Sequence, residues 1–116
     1  MKSINLAEKL SLFSDHFKPR TVGQFNGHDL MVAKADGPFV WHTHEETDDF
    51  FLVLKGRLTI HMRDGNVTLG PGEMFVVPKG KEHCPVAEEE THILLIEPTG
   101  TPNTGNVETA AARRMI

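Results

Sequence analysis

Two histidines separated by one residue, His42 and His44, form the most chemically informative pattern in the sequence. If this stretch is extended, side chains two residues apart point to the same face, so both imidazoles can bind one ion. Asp49 follows five residues after His44, and His83 comes much later, shortly after the turn sequence Pro78-Lys79-Gly80. A loop before Asp49 would place its carboxylate beside the pair, and a strand returning from the turn would deliver His83. Three imidazoles and one carboxylate suit a divalent transition metal such as Fe, Mn, Co, Ni, Cu or Zn.

The remaining histidines show no such pattern, and we expect them to be ordinary surface or core residues. They are His16, His28, His61 and His92. Three acidic residues near Asp49 are alternative carboxylate ligands, although each is more typical of a solvated loop. They are Glu45, Glu46 and Asp48.

The segments that must position these residues are predicted to be β-strands. Asn26-Gly27 lies between two runs with strand character, and Asn-Gly is the strongest two-residue hairpin signal. Further strands are expected at 39–44, 50–54, 58–62, 67–69, 74–77, 83–87 and 91–96, with an acidic turn at 88–90. Many short strands with turn signals about every 8–12 residues predict an antiparallel sandwich or barrel. Because no helix of crossover length lies between them, a parallel α/β sheet is excluded.

The two ends of the chain are predicted to lie outside this all-β unit. Residues 4–13 have the apolar spacing of one short amphipathic helix, with Ser3 as a candidate cap, although a strand also fits. Residues 98–106 are rich in Gly, Pro, Thr and Asn and should form an extended arm, followed by a short helix or a frayed tail at 107–116. We therefore divide the chain into an N-terminal extension (1–19), a barrel (20–97) and a C-terminal arm (98–116).

The full pattern resembles the two motifs of the cupin family. The first runs as Gly37, four residues, His42-Thr43-His44, four residues, Asp49, six residues, Gly56. The second runs as Gly72, five residues, Pro78-Lys79-Gly80, two residues, His83, three residues, Ala87. The resemblance implies a single-domain jelly-roll β-barrel with a metal in its mouth, floored by inward residues such as Phe51, Val53, Phe75 and Val77.

Three positions depart from the family pattern. The spacer after Gly37 has four residues where five are usual, and Ala87 stands where the family has Asn. Asp49 stands where the family usually has Glu, and it is shorter by one methylene. Its carboxylate reaches the ion only if the backbone comes close, or through a water. A site of three histidines and water is therefore the alternative to a site of His42, His44, His83 and Asp49.

The resemblance also implies a range of functions. We expect a metal-dependent enzyme that acts on a small polar molecule, of dioxygenase or isomerase type, with Fe, Mn, Ni or Zn as the cofactor. The alternative is a non-catalytic cupin that binds a small molecule or a metal. No catalytic side chain is assigned, because one cupin fold supports many reactions.

Composition and charge limit the kinds of partner and the cellular compartment that we expect for this chain. The chain has 116 residues and a net charge of −4, and it has no basic stripe that would indicate nucleic acid. No run approaches the roughly 20 apolar residues of a membrane span, the N-terminus does not resemble a signal peptide, and Cys84 is the single cysteine. We expect a cytoplasmic protein. A homodimer is also expected, because family members of this size are usually dimeric and the extension is rich in apolar residues: Ile4, Leu6, Leu10, Leu12, Phe13 and Phe17.

Overall fold

The computed structural model describes residues 1–106 and 108–116, and these contain one short helix and eight strands. The elements in chain order are α1 (Leu6–Leu10), β1 (Arg20–Phe25), β2 (His28–Pro38), β3 (Asp49–Lys55), β4 (Leu58–Met62), β5 (Gly65–Leu69), β6 (Met74–Val77), β7 (His83–Pro98) and β8 (Arg114–Met115). The expectation for the tail at 107–116 includes Val107, which lies outside the described residues.

The strands form one curved sheet in the order β5-β4-β7-β2-β1-β8, and β3 joins it between β6 and β7. Each pairing is antiparallel except that of β1 with β8. Because β7 pairs with β2, β3 and β4, it belongs to both halves of the barrel. The all-β prediction is confirmed.

One long strand replaces the two strands and acidic turn predicted between residues 83 and 96. β7 runs for 16 residues without interruption. Glu88, Glu89 and Glu90 are exposed, so their charges stay in water while the backbone remains extended. The first half of β7 pairs with β4 and the second half with β3, and a register shift between Ala35 and Gly37 of β2 accommodates the change.

The predicted hairpin and barrel floor are present. Asn26 and Gly27 both have positive φ, 49° and 75°, as a type I′ turn requires, and Phe25 pairs with His28 across it. Alternate residues of the strands fill the barrel with apolar side chains. Phe51, Val53 and Val77 are buried in this main cluster, and Phe75 packs against it while remaining partly exposed.

The N-terminal extension forms a helix, α1, that is shorter than predicted. Its cap is Asn5 and not Ser3, because the Asn5 Oδ1 accepts a hydrogen bond from the Glu8 backbone N–H at 3.0 Å. Leu10 is buried in a second apolar cluster with Val22 and Val32, so part of the extension packs on its own barrel. Within the described residues, no helix has the length and apolar character needed to cross a membrane.

The C-terminal arm crosses the barrel as a strap, which we define as residues 99–106 and 108–113. At its end Arg114 and Met115 form β8, which pairs with β1, so the predicted helix or frayed tail is wrong for these two residues. The strap is fixed by a 2.9 Å ion pair from Arg113 Nη1 to Asp29 Oδ2, and by a 3.2 Å hydrogen bond from Asn103 Nδ2 to the Phe17 carbonyl. Local sequence carries no signal for this pairing, because it depends on β1 about 90 residues earlier.

Candidate metal centre

His42 and His83 are brought together by a pair of backbone hydrogen bonds. The N–H of each residue donates to the carbonyl of the other at 3.0 Å, which makes an isolated antiparallel bridge. The predicted strand at 39–44 is reduced to this bridge. It is sufficient to hold the two imidazole rings with their centroids 4.3 Å apart.

The turn before His83 also positions His44. Gly80 donates its backbone N–H to the His44 carbonyl at 2.8 Å, and the Asp48 carboxylate accepts from the Lys79 N–H at 2.9 Å. Asp49 is the first residue of β3, where it pairs with Val77. Hydrogen bonds to backbone groups therefore hold the two sequence motifs together without the help of an ion.

The side chains of His42, His44, Asp49 and His83 converge in the barrel, each offering one ligand atom within 4.8 Å of the others. The Asp49 Oδ2 lies 2.8 Å from the Nε2 of His83, 3.3 Å from that of His44 and 3.8 Å from that of His42. All four residues are buried, with exposed fractions between 1% and 8%. The short aspartate thus reaches the three imidazoles directly.

Backbone carbonyls orient two of these rings. The Nδ1 of His42 is 2.8 Å from the Val40 carbonyl, and the Nδ1 of His83 is 2.9 Å from the Lys81 carbonyl. Because a carbonyl only accepts hydrogen bonds, each Nδ1 carries a proton, and in the neutral ring the Nε2 lone pair faces the centre. The His44 Nε2 is buried without a hydrogen-bond partner among the residues that the structure describes. Converging lone pairs and a carboxylate are the groups that bind a cation.

The spacing of the ligand atoms fits a transition metal. Atoms that each lie about 2.0–2.2 Å from one ion are about 3.0–3.5 Å from their neighbours in octahedral or tetrahedral sites. The distances from Asp49 to the imidazoles, 2.8–3.8 Å, bracket that range. These four residues could therefore hold the ion with small side-chain adjustments.

The charge on Asp49 also suits a metal ligand. Burial raises the pKa of its carboxyl, but the contacts with the imidazoles of His42, His44 and His83 outweigh burial and hold the pKa well below 3.8. The carboxyl is therefore an anion at neutral pH. The alternatives Glu45, Glu46 and Asp48 lie on the exposed loop and are outside the cluster.

A second buried carboxyl, that of Glu97, was not identified from the sequence. It follows Ile93 and Leu95 on the inward face of β7, and its Oε1 lies 3.8 Å from the His44 Nε2. Burial and the neighbouring Asp49 carboxylate together raise the pKa of Glu97 to about 10. The available signal was the alternation of β7, which places an acidic residue where an apolar one is expected.

A cavity of about 50 Å³ lies beside the centre and reaches His42, Asp49 and Glu97. Its walls are mainly apolar and are completed by two strap residues, Asn103 and Arg113. On one side, the ring of Phe39 meets the edge of His42 at 5.2 Å between centroids, and Phe17 stacks on Phe39 at 4.9 Å. The arrangement combines a candidate metal centre with an adjoining space for a small molecule. The other four histidines lie outside the cluster: His16, His28, His61 and His92.

Comparisons with known proteins agree on the family. The Cupin_2 family model, which describes a cupin domain, matches residues 29–97. The chain is 48% identical to a cupin-2 domain containing protein from Shewanella frigidimarina NCIMB 400, with a TM-score of 0.81, over 82% of this chain and 93% of that one. It is 31% identical over 64 residues to the uncharacterised protein YdbB of Bacillus subtilis strain 168, which covers 54% of this chain and 57% of YdbB.

Solved structures of lower sequence identity share the fold but do not show an activity for this chain. The hydroquinone 1,2-dioxygenase PnpCD, solved with Cd²⁺ and 4-hydroxybenzonitrile, is 17% identical with a TM-score of 0.71, over 91% of this chain and 74% of that one. At this identity the likeness shows the fold alone. The chain also spans less than two thirds of the length of the curated relatives it matches.

Proposed function

This chain belongs to the cupin family, and from that premise we propose that it is a metal-dependent enzyme acting on a small polar molecule. His42, His44, Asp49 and His83 bind the cofactor, a divalent transition metal such as Fe, Mn, Ni or Zn. The observation that carries the proposal is the convergence of three imidazole Nε2 atoms and one ionised carboxylate in a buried site beside a cavity.

The chain's own groups suit a catalytic rather than a purely structural centre. Four protein ligands would leave up to two positions of a six-coordinate ion for other molecules. The adjoining cavity gives such molecules a place to bind. When bound, the metal supplies a Lewis acid and a template for oxygen atoms of the substrate. The carbonyls of Val40 and Lys81 hold the His42 and His83 rings in their ligating tautomers. The burial of all four ligands restricts access of bulk water.

Dioxygenase and isomerase chemistry are the two reaction types that we propose. The fold shared with a hydroquinone 1,2-dioxygenase is compatible with the first, but fold likeness alone does not determine the reaction. For either reaction, the cavity beside His42 and Asp49 would place a small substrate next to the ion that these residues would hold.

The test has two stages. Metal-free protein is reconstituted with Fe(II), and its metal content is compared with that of His83→Ala and of His28→Ala, an exposed control outside the cluster. The loaded protein is then incubated with a panel of catechols, diketones and sugar acids while oxygen uptake and products are followed. We expect turnover that is lost in His44→Ala and kept in His28→Ala. Equal metal content in His83→Ala and the parent protein would refute the site.

One observation favours the alternative, a non-catalytic binding cupin. The cavity measures only about 50 Å³ and is lined in part by Asn103 and Arg113 of the strap, which suits retention of a small molecule better than rapid exchange. Saturable binding by the metal-loaded protein, without product from any member of the panel, would favour this alternative.

We further propose that the protein is a cytoplasmic homodimer. The Cδ1 of Ile4 lies 3.5 Å from where a Cβ on Gly23 of β1 would be, and Phe25 is two residues further along that strand. Ile4 and Phe25 are both exposed, so an apolar surface continues from the N-terminal segment onto the sheet. A second copy of the chain would cover it. Sedimentation should give a dimer that Phe25→Glu dissociates, and a monomer at micromolar concentration would contradict the proposal. The single cysteine, Cys84, suits a reducing compartment, which cell fractionation would test.

A further inference from the structure

A buried carboxyl outside the four proposed metal ligands, that of Glu97, faces the cavity beside the centre. We propose that Glu97 positions the substrate by accepting a hydrogen bond from its hydroxyl group, and that the substrate is a small, non-aromatic 2-hydroxy carboxylate. The inference rests on the function proposed above and deepens it by naming a substrate class.

The geometry of Glu97 identifies an unused acceptor. The residue is 4% exposed, and its Oε2 is buried without a hydrogen-bond partner among the described residues. An unpartnered buried polar atom costs about 1–3 kcal/mol, so a bound molecule that supplies a donor there gains a corresponding advantage. A carboxyl oxygen has lone pairs whether the group is neutral or ionised, and the proposed role therefore does not depend on its charge.

The polar strap residues that line the cavity, Asn103 and Arg113, already form hydrogen bonds within the protein. The Asn103 amide donates to the Phe17 carbonyl, and its oxygen accepts from the Ala111 N–H at 3.0 Å. Arg113 is paired with Asp29 and also donates to the Thr101 carbonyl. The Asn103 oxygen is therefore already bonded and Arg113 carries donors only, which leaves the Oε2 of Glu97 as the acceptor for a ligand.

The size of the cavity limits the ligand. At about 50 Å³ it is well below the roughly 150 Å³ that accommodates a benzene ring in a protein core. Its other walls are mainly apolar and include side chains from the barrel strands, such as those of Ala33, Ala35 and Phe51. The cavity therefore suits a compact ligand of a few heavy atoms, and an aromatic ring would require the strap to move.

The metal and Glu97 together indicate the chemical class. A divalent transition metal binds carboxylate oxygens, so the ion that Asp49 would hold could also accept the carboxylate of a ligand. A carboxylate oxygen on the metal and a neighbouring hydroxyl directed at Glu97 satisfy both groups with few atoms. These features describe a 2-hydroxy carboxylate, of which glycolate is the simplest.

The test compares two ligands in three proteins. Zinc-loaded protein is titrated by calorimetry with glycolate and with fluoroacetate, in which fluorine replaces the hydroxyl and cannot donate. Glu97→Met keeps an unbranched side chain without a carboxyl, whereas Glu97→Gln keeps an oxygen acceptor. We expect the preference of the parent protein for glycolate to fall about tenfold in Glu97→Met and to stay within about threefold in Glu97→Gln, as loss of one buried hydrogen bond implies.

Zinc affinity is measured first for each protein, which separates the two proposals. Failure of the parent protein to bind zinc would remove the proposed function itself. Normal zinc binding with an unchanged glycolate preference in Glu97→Met, or with no glycolate binding at all, would overturn the role of Glu97 and leave the metal centre standing. Should Glu97→Met not fold, Glu97→Ala replaces it with the same expectation.

Discussion

Replacing Gly56 with alanine should destabilise the barrel far more than the same change at another turn glycine. Gly56 has φ of 92°, and an added Cβ would lie 2.5 Å from the Thr91 Oγ1 and 3.0 Å from the Glu90 carbonyl oxygen. The Thr91 hydroxyl both donates to the Arg57 carbonyl and accepts from the Arg57 N–H, each at 3.0 Å. The substitution therefore strains the backbone and also displaces a residue that ties β7 to the turn.

The magnitude follows from these two effects. A left-handed backbone costs an alanine about 1–2 kcal/mol relative to glycine. Overpacking a buried contact typically adds about 1–3 kcal/mol, and each disturbed hydrogen bond adds about 1 kcal/mol. We expect Gly56→Ala to lose about 4–7 kcal/mol of unfolding free energy, a large part of the roughly 5–15 kcal/mol of a typical domain.

Gly72→Ala is the matched control. Gly72 has a similar φ of 81°, but apart from its chain neighbours no heavy atom of the described residues lies within 4 Å of its added Cβ. It should lose only the backbone contribution, about 1–2 kcal/mol. Urea unfolding of the metal-free proteins, followed by circular dichroism, measures both values. Equal losses at Gly56 and Gly72 would refute the argument from close packing.

Three further outcomes are expected. Asp29→Asn should lower stability by about 1–3 kcal/mol at pH 7, because Asp29 pairs with Arg113. Burial raises the pKa of Asp29, but hydrogen bonds, including that from Arg113, lower it below 3.8, so the ionised form stabilises the fold above pH 3.8. The gap between the parent protein and Asp29→Asn in urea unfolding should narrow as pH falls below 3.8, and a constant gap would contradict it. Asp49→Glu lengthens the side chain by about 1.5 Å, whereas metal–ligand distances vary by only about 0.2 Å. Zinc affinity measured by calorimetry should therefore fall at least about tenfold. An equal affinity would count against direct ligation by Asp49. Leu10→Ala should lower the free energy of unfolding in urea by about 2–3 kcal/mol, because Leu10 is buried. Leu12 is 64% exposed, and Leu12→Ala should lower it by less than about 0.5 kcal/mol. Similar losses in the two variants would show that α1 does not pack as described.

Sequence reasoning succeeded where a local pattern determines the structure. Asn26-Gly27 gave the hairpin, since its conformation depends on two adjacent residues. The spacing of His42 and His44, with Asp49 and His83, correctly indicated side chains that meet, because each is tied to a turn whose residues are recognisable. The structure adds that Asp49 reaches all three imidazoles despite its short side chain.

The features that sequence reasoning missed depend on distant parts of the chain. β7 continues through Glu88, Glu89 and Glu90 because β2 pairs with it on both sides of the register shift, and local charge indicated a turn instead. Glu97 belongs to the site only because β7 ends beside Asp49. The strap pairs with Asp29 and β8 pairs with β1, both far earlier in the chain, whereas composition alone indicated an extended arm followed by a short helix or a frayed tail.

Anomalous diffraction from crystals of the metal-loaded protein is the most direct test of the central claim. The data should place one ion per chain within about 2.0–2.3 Å of the Nε2 atoms of His42, His44 and His83 and of one Asp49 carboxylate oxygen. An ion bound elsewhere, or no anomalous peak among these four side chains in protein that contains stoichiometric metal, would contradict the account.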